Sequence, residues 1–378
     1  MTISERFREW RNALLGSERF QRRIAMIPGL RALARREAAA MFDVVAGFVY
    51  SQVLLACVRL DLFERLRGRS RAEGELLCEL RASEAGQGIS EEALQTLLRA
   101  AESLKLIERR AVEAWGLGQR GAALLGLPGV LAMIEHHAVL YRDLADPLAM
   151  LRGARGDTAL ARYWPYACSS VPGELSDIAS RDYTQLMSSS QGLVSTEILD
   201  AYDVSRHHSI LDVGGGNGRF LLAVSRRAPS AALRVFDLPP IAAQAQANFE
   251  EQGLGARARA VGGDFTRDPL PSGADLLCFV RVLHDHDDPL VERLLQSAFA
   301  ALPPGGTVLI AEPLAGTPGA ERMGAAYFGL YLWAMGSGRP RTRAELTERL
   351  RRAGFADIRE HPTRVPLQTR VLTAKRPG

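Results

Sequence analysis

Two rhythms of apolar residues divide this chain. From Ser4 to about Gln191, leucine, alanine and arginine recur at three- and four-residue spacing, and runs rich in valine and isoleucine are scarce. That period predicts a half built mainly of helices. From His208 onward, short apolar runs at Ser209 to Val213, Leu233 to Phe236, Asp275 to Val280, Thr307 to Ala311 and Arg370 to Ala374 take over. Amphipathic stretches at Gly218 to Arg227, Pro240 to Gln252, Pro289 to Ala301 and Arg343 to Ala353 fill the gaps. Strands alternating with helices of this length predict βαβ units, hence an α/β half with a doubly wound, mostly parallel sheet. The change of texture places the domain boundary at Ser188 to Thr196, so that 1–190 form a helical domain and 191–378 the α/β domain. A chain of 378 residues suits two domains.

The helical half carries one further pattern. Ser90 is positioned to cap a helix with apolar residues at Leu94, Leu97, Leu98 and Leu104, and Leu106 to Arg110 and Ala114 to Leu117 then read as two short strands around a charged turn. Helices followed by such a β-wing make a winged helix. DNA binding is its obvious use, but the helix from Glu91 to Ser103 offers Arg99 as its only cation beside Glu91, Glu92 and Glu102, a face that repels phosphate. A structural or dimerisation role is expected, with no nucleic-acid partner. The net charge of +4 agrees, being too small for a nucleic-acid footprint.

The first forty residues interleave nine arginines, Arg6 to Arg36, with Trp10, Leu14, Leu15, Phe20, Ile24 and Ile27. A basic amphipathic segment of this kind suits either an anionic membrane surface or the flank of a partner subunit. The apolar region Ala38 to Val58 is interrupted by Asp43, Ser51 and Gln52, which favours a buried core or dimer helix over a membrane span. Without a basic start and apolar core at the N-terminus, no secretory signal is read, and the expected location is cytoplasmic, with peripheral contact at the inner membrane if the arm binds lipid. The cysteines, at 57, 78, 168 and 278, are too scattered for a disulfide framework or zinc site and are expected to be buried or half-buried thiols.

The sharpest chemical signal is Asp212-Val213-Gly214-Gly215-Gly216-Asn217-Gly218, where a strand runs through a glycine-rich turn into a helix. Such a turn lets backbone N–H groups and a helix N-terminus approach a nucleotide-like cofactor, although a glycine turn can also be purely structural. A dinucleotide fingerprint would put its third glycine at Arg219, and a P-loop would need a lysine, whereas Lys105 and Lys375 are the only two here. G-x-G-x-G behind the acidic Asp212 resembles the first motif of class I S-adenosylmethionine-dependent methyltransferases. Asp237, ending the second strand, is placed to take ribose hydroxyls, or alternatively to cap the helix that follows. In Gly262-Gly263-Asp264-Phe265 a carboxylate and an aromatic stand where the adenine amino group and ring need partners.

The fourth strand ends in Arg281-Val282-Leu283-His284-Asp285-His286-Asp287-Asp288. Histidines and aspartates this dense raise the question of a metal, but no third ligand cluster lies nearby in sequence. The other reading is a general base, since imidazole, with an ordinary pKa of about 6.5, can accept a hydroxyl proton near neutral pH.

Taken together, D-V-G-G-G-N-G, F-D-L-P-P, G-G-D-F, R-V-L-H-D-H-D-D and A-E-P resemble successive motifs of the caffeate and acetylserotonin type of small-molecule O-methyltransferases, and the helical half resembles that family's dimerisation domain. More narrowly, the stretches Met41 to Tyr50, Tyr141 to Pro147 and Ala334 to Pro340 resemble the bacterial carotenoid branch, which methylates the tertiary hydroxyl of demethylspheroidene or hydroxyneurosporene. The resemblance implies S-adenosylmethionine as cofactor, no metal, a homodimer, an apolar hydroxylated acceptor, His284 as catalytic base and Glu312 as the acid that orients it. It implies cofactor contacts at Asp212, Gly214, Gly216, Asp237, Asp264 and Phe265. Three positions depart from the pattern. A second glutamate of the caffeate type falls near Pro340; a lysine of some relatives falls on Val280, with Arg281 as its candidate substitute at the cofactor; and the usual tryptophan is His286, read as a solvent-facing loop residue. The expected activity is methyl transfer to an acyclic hydroxycarotenoid, the rivals being a phenolic or polyketide acceptor and a winged-helix regulator that binds S-adenosylmethionine as a ligand.

Overall fold

The structure is a computed structural model that describes residues 2–111, 114–163, 191–366 and 368–378. It comprises two compact units, Met1–Gly126 and Leu127–Gly378.

In the first unit, helices Ile3–Leu15, Glu18–Met26 and Pro28–Arg59 follow one another. The first starts at a reciprocal cap: Thr2 Oγ1 accepts from the Glu5 N–H, and the Glu5 carboxylate accepts from the Thr2 N–H. Of the two expectations for the long helix, core or dimer, the first is not met within its own unit, since only Leu55 and Cys57 of it are buried. Met41, Phe42, Val44, Val45 and Phe48 are each more than 60% exposed, so this apolar surface has no cover among the described residues of its own unit. By length and composition the helix could also cross a membrane, with an 18-residue window of mean hydropathy 1.8. The winged helix forms as read. Ser90 Oγ accepts from the Ala93 N–H, helices Glu73–Arg81 and Glu91–Ser103 bury Leu76, Leu80, Leu94 and Leu98, and a three-stranded sheet has the order β1 (Arg71–Ala72), β3 (Ala114–Leu117), β2 (Ile107–Ala111). Cys78 is exposed, contrary to expectation, while Cys57 and Cys278 are buried; Cys168 lies outside the described residues.

The second unit is built on a seven-stranded sheet of order β6-β5-β4-β7-β8-β10-β9, made of β4 (Ser209–Val213), β5 (Ala232–Asp237), β6 (Ala258–Gly262), β7 (Leu276–Val280), β8 (Thr307–Glu312), β9 (Ala356–His361) and β10 (Arg370–Lys375). The first five are parallel; β10 runs antiparallel between β8 and β9. Successive side chains of β4 and β7 enter opposite cores, Ile210, Leu276 and Cys278 on one face and Leu211, Leu277 and Phe279 on the other. Both faces are therefore covered by helices, which is why these strands read as continuous apolar runs.

This unit begins at Leu127, some sixty residues before the change of texture near 190. Leu140 of helix Pro128–Leu144, Met150 of Pro147–Arg152 and Leu160 of Ala159–Tyr163 form one core with Tyr331, Leu332, Ala334 and Met335 of helix Gly329–Met335. Helical periodicity identifies an apolar face but not the distant element it packs against.

Candidate active site

The strand order reverses between β4 and β7, and ligands of open α/β sheets bind beyond the carboxyl ends of the strands at such a point. Every sequence-predicted site residue except Asp212, within β4, lies at or just past one of these ends. Gly214, Gly216 and Gly218 have φ of +67°, +58° and +81°, a region that L side chains seldom adopt. A Cβ at Gly218 would lie 2.6 Å from the Phe249 ring, whereas one at Gly216 would meet nothing within 4 Å among the described residues. The loop is thus packed tightly beneath and open above.

Asp237 closes this loop. Its Oδ2 accepts from the Gly216 N–H at 2.8 Å and its Oδ1 from the Leu238 N–H at 2.8 Å. Burial pushes its carboxyl up to about 6, against the pull of these two bonds. Asp237 does not cap the helix that follows, whose N-cap is Leu238 with no side-chain cap bond, and its carboxylate carries more acceptor sites than these two donors fill. Asp212 lies underneath, 1% exposed, with neither carboxylate oxygen paired to a donor among the described residues. Burial, and then the Asp237 charge, hold its carboxyl well above the usual range. Asp264 Oδ1 accepts from the N–H and Oγ1 of its neighbour Thr266, at 2.8 and 2.6 Å, so part of its capacity is committed locally. Phe265 flanks Gly214, and its ring meets His286 edge-on at 5.3 Å. His286 is thus half-buried beside Phe265, not solvent-facing.

On the other side of the switch point, β7 leads into the turn that carries His284. Arg281, with φ of +58°, donates its N–H to the Ala311 carbonyl, a strained conformation of the kind that collects at functional sites. The His284 side chain is buried, with Nε2 at 3.0 Å from Asp285 Oδ1 and Nδ1 at 3.8 Å from Glu312 Oε1. The second distance is too long for a hydrogen bond. Glu312 Oε1 instead accepts the N–H groups of Leu283 and His284 at 2.5 and 3.1 Å, so it holds the backbone of the turn, and Asp285 is the acid that holds the ring. Burial acts to lower the His284 pKa, but the carboxylates of Asp285 and Glu312 outweigh it and raise it to about 9. Burial in turn acts upward on Asp285, yet the charges of His284, His286 and Arg281 keep its carboxyl low.

Next to His284 stands an aromatic wall. The Phe328 ring is 6.2 Å from the imidazole and 5.0 Å from Tyr327. Tyr327 shares a 2.6 Å hydrogen bond with His137, and Tyr331 a 2.7 Å one with His136. Burial first, then the neighbouring His137 charge, lowers His136 to about 4, so the His136 ring is neutral at pH 7. His136, His137 and Tyr331 thus join this wall. Asp285, Tyr327 and Phe328 were missed. Asp285 was visible as the neighbour of the proposed base, but the two aromatics have no sequence signal beyond apolar spacing.

The O-methyltransferase domain family matches residues 141–356. The chain is 42% identical over 365 residues to the demethylspheroidene O-methyltransferase of Cereibacter sphaeroides, spanning 97% of this chain and 94% of that one. It is 40% identical over 361 residues to the enzyme of the same name from Rhodobacter capsulatus, spanning 95% and 88%. Among solved structures, the apo S-adenosylmethionine-dependent methyltransferase SibL matches with a TM-score of 0.72 and 25% identity, over 90% of this chain and 99% of that one. With a family match over more than half its length and a relative 42% identical almost end to end, the chain belongs to the S-adenosylmethionine-dependent O-methyltransferases.

Proposed function

We propose that the protein methylates the tertiary hydroxyl of an acyclic hydroxycarotenoid of the demethylspheroidene or hydroxyneurosporene kind, in carotenoid biosynthesis. The observation that carries this reading is the 42% identity, almost end to end, with a demethylspheroidene O-methyltransferase. The residues present suit the cofactor. There is open space above Gly216, an acceptor at Asp237, an aromatic face at Phe265 with Asp264 beside it, and an orphaned buried carboxyl at Asp212 beneath the loop. S-adenosylmethionine supplies a methyl group made electrophilic by its sulfonium. Asp237 takes the ribose, Gly214 and Gly216 give the backbone its close approach, and Arg281 directs positive charge toward the acceptor side, where it acts on Asp285 and Tyr327.

A tertiary alcohol is a very weak acid, so its proton leaves late, as the new bond forms. The His284–Asp285 pair receives it, and the wall of Phe328, Tyr327 and Tyr331 holds the oxygen and the adjoining chain in line, where most of the acceleration arises. Incubating the protein with cofactor labelled in its methyl group and a pigment extract, followed by mass spectrometry, should place the label on an acyclic hydroxycarotenoid. Label found only on a phenol or polyketide would overturn the assignment.

The same reading extends to partners. The exposed face of helix Pro28–Arg59 supports a homodimer that covers it, and the arginine-rich arm before it supports contact with the cytoplasmic face of the membrane, where a water-insoluble acceptor must be collected. Deleting Met1 to Leu30 should abolish liposome flotation while sparing activity on detergent-solubilised acceptor. A truncated protein that runs as a monomer and loses both activities would make the arm a dimer clasp instead.

A further inference from the structure

The carbonyls of four consecutive residues in the His284 turn all accept hydrogen bonds from one short segment far away in sequence. Arg341 Nη1 donates to Leu283 O at 2.7 Å, the Arg339 N–H to His284 O at 2.9 Å, Ser337 Oγ to Asp285 O at 2.7 Å and Arg341 Nη2 to His286 O at 2.7 Å. Between these donors Gly338 lies flush on the turn: a Cβ there would come within 2.2 Å of His284 O and 2.5 Å of the Asp285 carbonyl carbon, and its φ is +78°. Its N–H donates to Asp287 Oδ1 at 3.0 Å.

Arg341 is fully buried, an unfavourable place for a cation unless every donor is matched. Here its Nε donates to Asp288 Oδ1 at 2.9 Å while its two amino groups reach the carbonyls of residues 283 and 286. A planar guanidinium holds these three acceptors at fixed mutual angles, which a lysine ammonium on a flexible stem does not. From the opposite side Glu312 holds the N–H groups of Leu283 and His284. The turn is therefore pinned through both sets of backbone groups, and the His284–Asp285 contact at 3.0 Å is what this pinning presents. The segment also follows directly on helix Gly329–Met335, which bears Tyr331, so the acceptor wall and the proton acceptor share one support.

We infer that residues 337–341, with Arg341 at their centre, are the positioning element of the proton acceptor: they fix the backbone of residues 283–286 so that the Asp285 carboxylate meets the His284 ring. The inference rests on the reading of His284 as proton acceptor, and its test separates the two. Arg341→Lys and Ser337→Ala are made in the full-length protein, and the His284 imidazole is titrated by 15N NMR, its signals assigned by their loss in His284→Gln. In both variants the imidazole pKa should fall by about one unit or more, because the ring loses its carboxylate. At the same time kcat should fall about 10- to 100-fold, as displacements near 1 Å can cause, with cofactor affinity within about two-fold of wild type. If Arg341→Lys does not fold, Ser337→Ala, which removes a single hydroxyl, decides by the same readings. An unchanged imidazole pKa in the folded variants would overturn the positioning role, whatever happens to turnover. A His284→Gln enzyme with full activity would overturn the proton acceptor alone.

Discussion

Replacing Asp285 by Asn tests the site at its most unusual contact. The substitution keeps the shape of the side chain and removes its charge at 3.0 Å from His284 Nε2. At an effective dielectric of about 20, opposite unit charges at that separation attract by about 5 kcal/mol, more than the upward shift that survives burial. The surviving shift, from 6.5 to about 9, corresponds to about 3 kcal/mol. Without Asp285, burial dominates and the His284 pKa should fall to 6.5 or below, with only Glu312, at 3.8 Å, to oppose it. Since the ring must be unprotonated to accept the hydroxyl proton, the wild-type kcat should climb with pH through the neutral range, and the acid limb should lie about two units or more lower in Asp285→Asn. Both enzymes are compared with the same ligands bound, so the cofactor's own charge shifts both limbs alike. The plateau rate should be lower in the variant, because a less basic ring accepts a late proton less readily. Single-turnover rates from pH 5 to pH 10 measure both effects. An acid limb at the same pH in the two enzymes would refute the reasoning, since the Asp285 charge would then not govern the base.

Asp237→Ala should weaken S-adenosylmethionine binding by about 1.5 to 3 kcal/mol, the range for a hydrogen bond to a charged group, and calorimetry on the folded variant would show it. Stability should peak near pH 6.5. His136, lowered to about 4, adds stability as pH rises toward 6.5, whereas His284, raised to about 9, adds stability below 6.5 that is lost as pH climbs through 9. Urea unfolding should therefore register a decline of up to about 3 kcal/mol between pH 6.5 and 10, and that alkaline decline should vanish in Asp285→Asn. Gly218→Ala should destabilise by about 1 to 3 kcal/mol, because the position has φ of +81° and an added Cβ would strike Phe249 at 2.6 Å; a wild-type melting temperature would contradict this.

Much of the α/β fold was legible because its buried strands are continuous apolar runs. β4 was bounded to the residue, and β5, β7, β8 and β10 to within one. β9 escaped because Ala-Asp-Ile-Arg-Glu-His is an edge strand, half exposed and charged, and β6 was noticed only through the glycines that end it. The antiparallel insertion of β10 beside β8 has no signature within either strand. The helices of 128–163 read correctly as helices but with the wrong neighbours, since their core partners Tyr331, Leu332 and Met335 lie more than 160 residues further on.

In the site, what could be read was what the backbone demands locally. The glycine turn requires residues free to take positive φ, and its sequence announces that need. The His284 turn is different: Asp285, Asp287 and Asp288 are the same residue type within four positions, and nothing in their spacing ranks them. The fold gives each a different task. Asp285 meets the His284 ring, Asp287 accepts from Gly338 and Arg155, and Asp288 pairs with Arg339, Arg341 and Arg349. Which carboxylate meets the His284 ring is thus decided by the direction in which a turn is held, and the donors that hold it lie more than fifty residues away, where the sequence shows only a glycine, a proline and two arginines among polar neighbours.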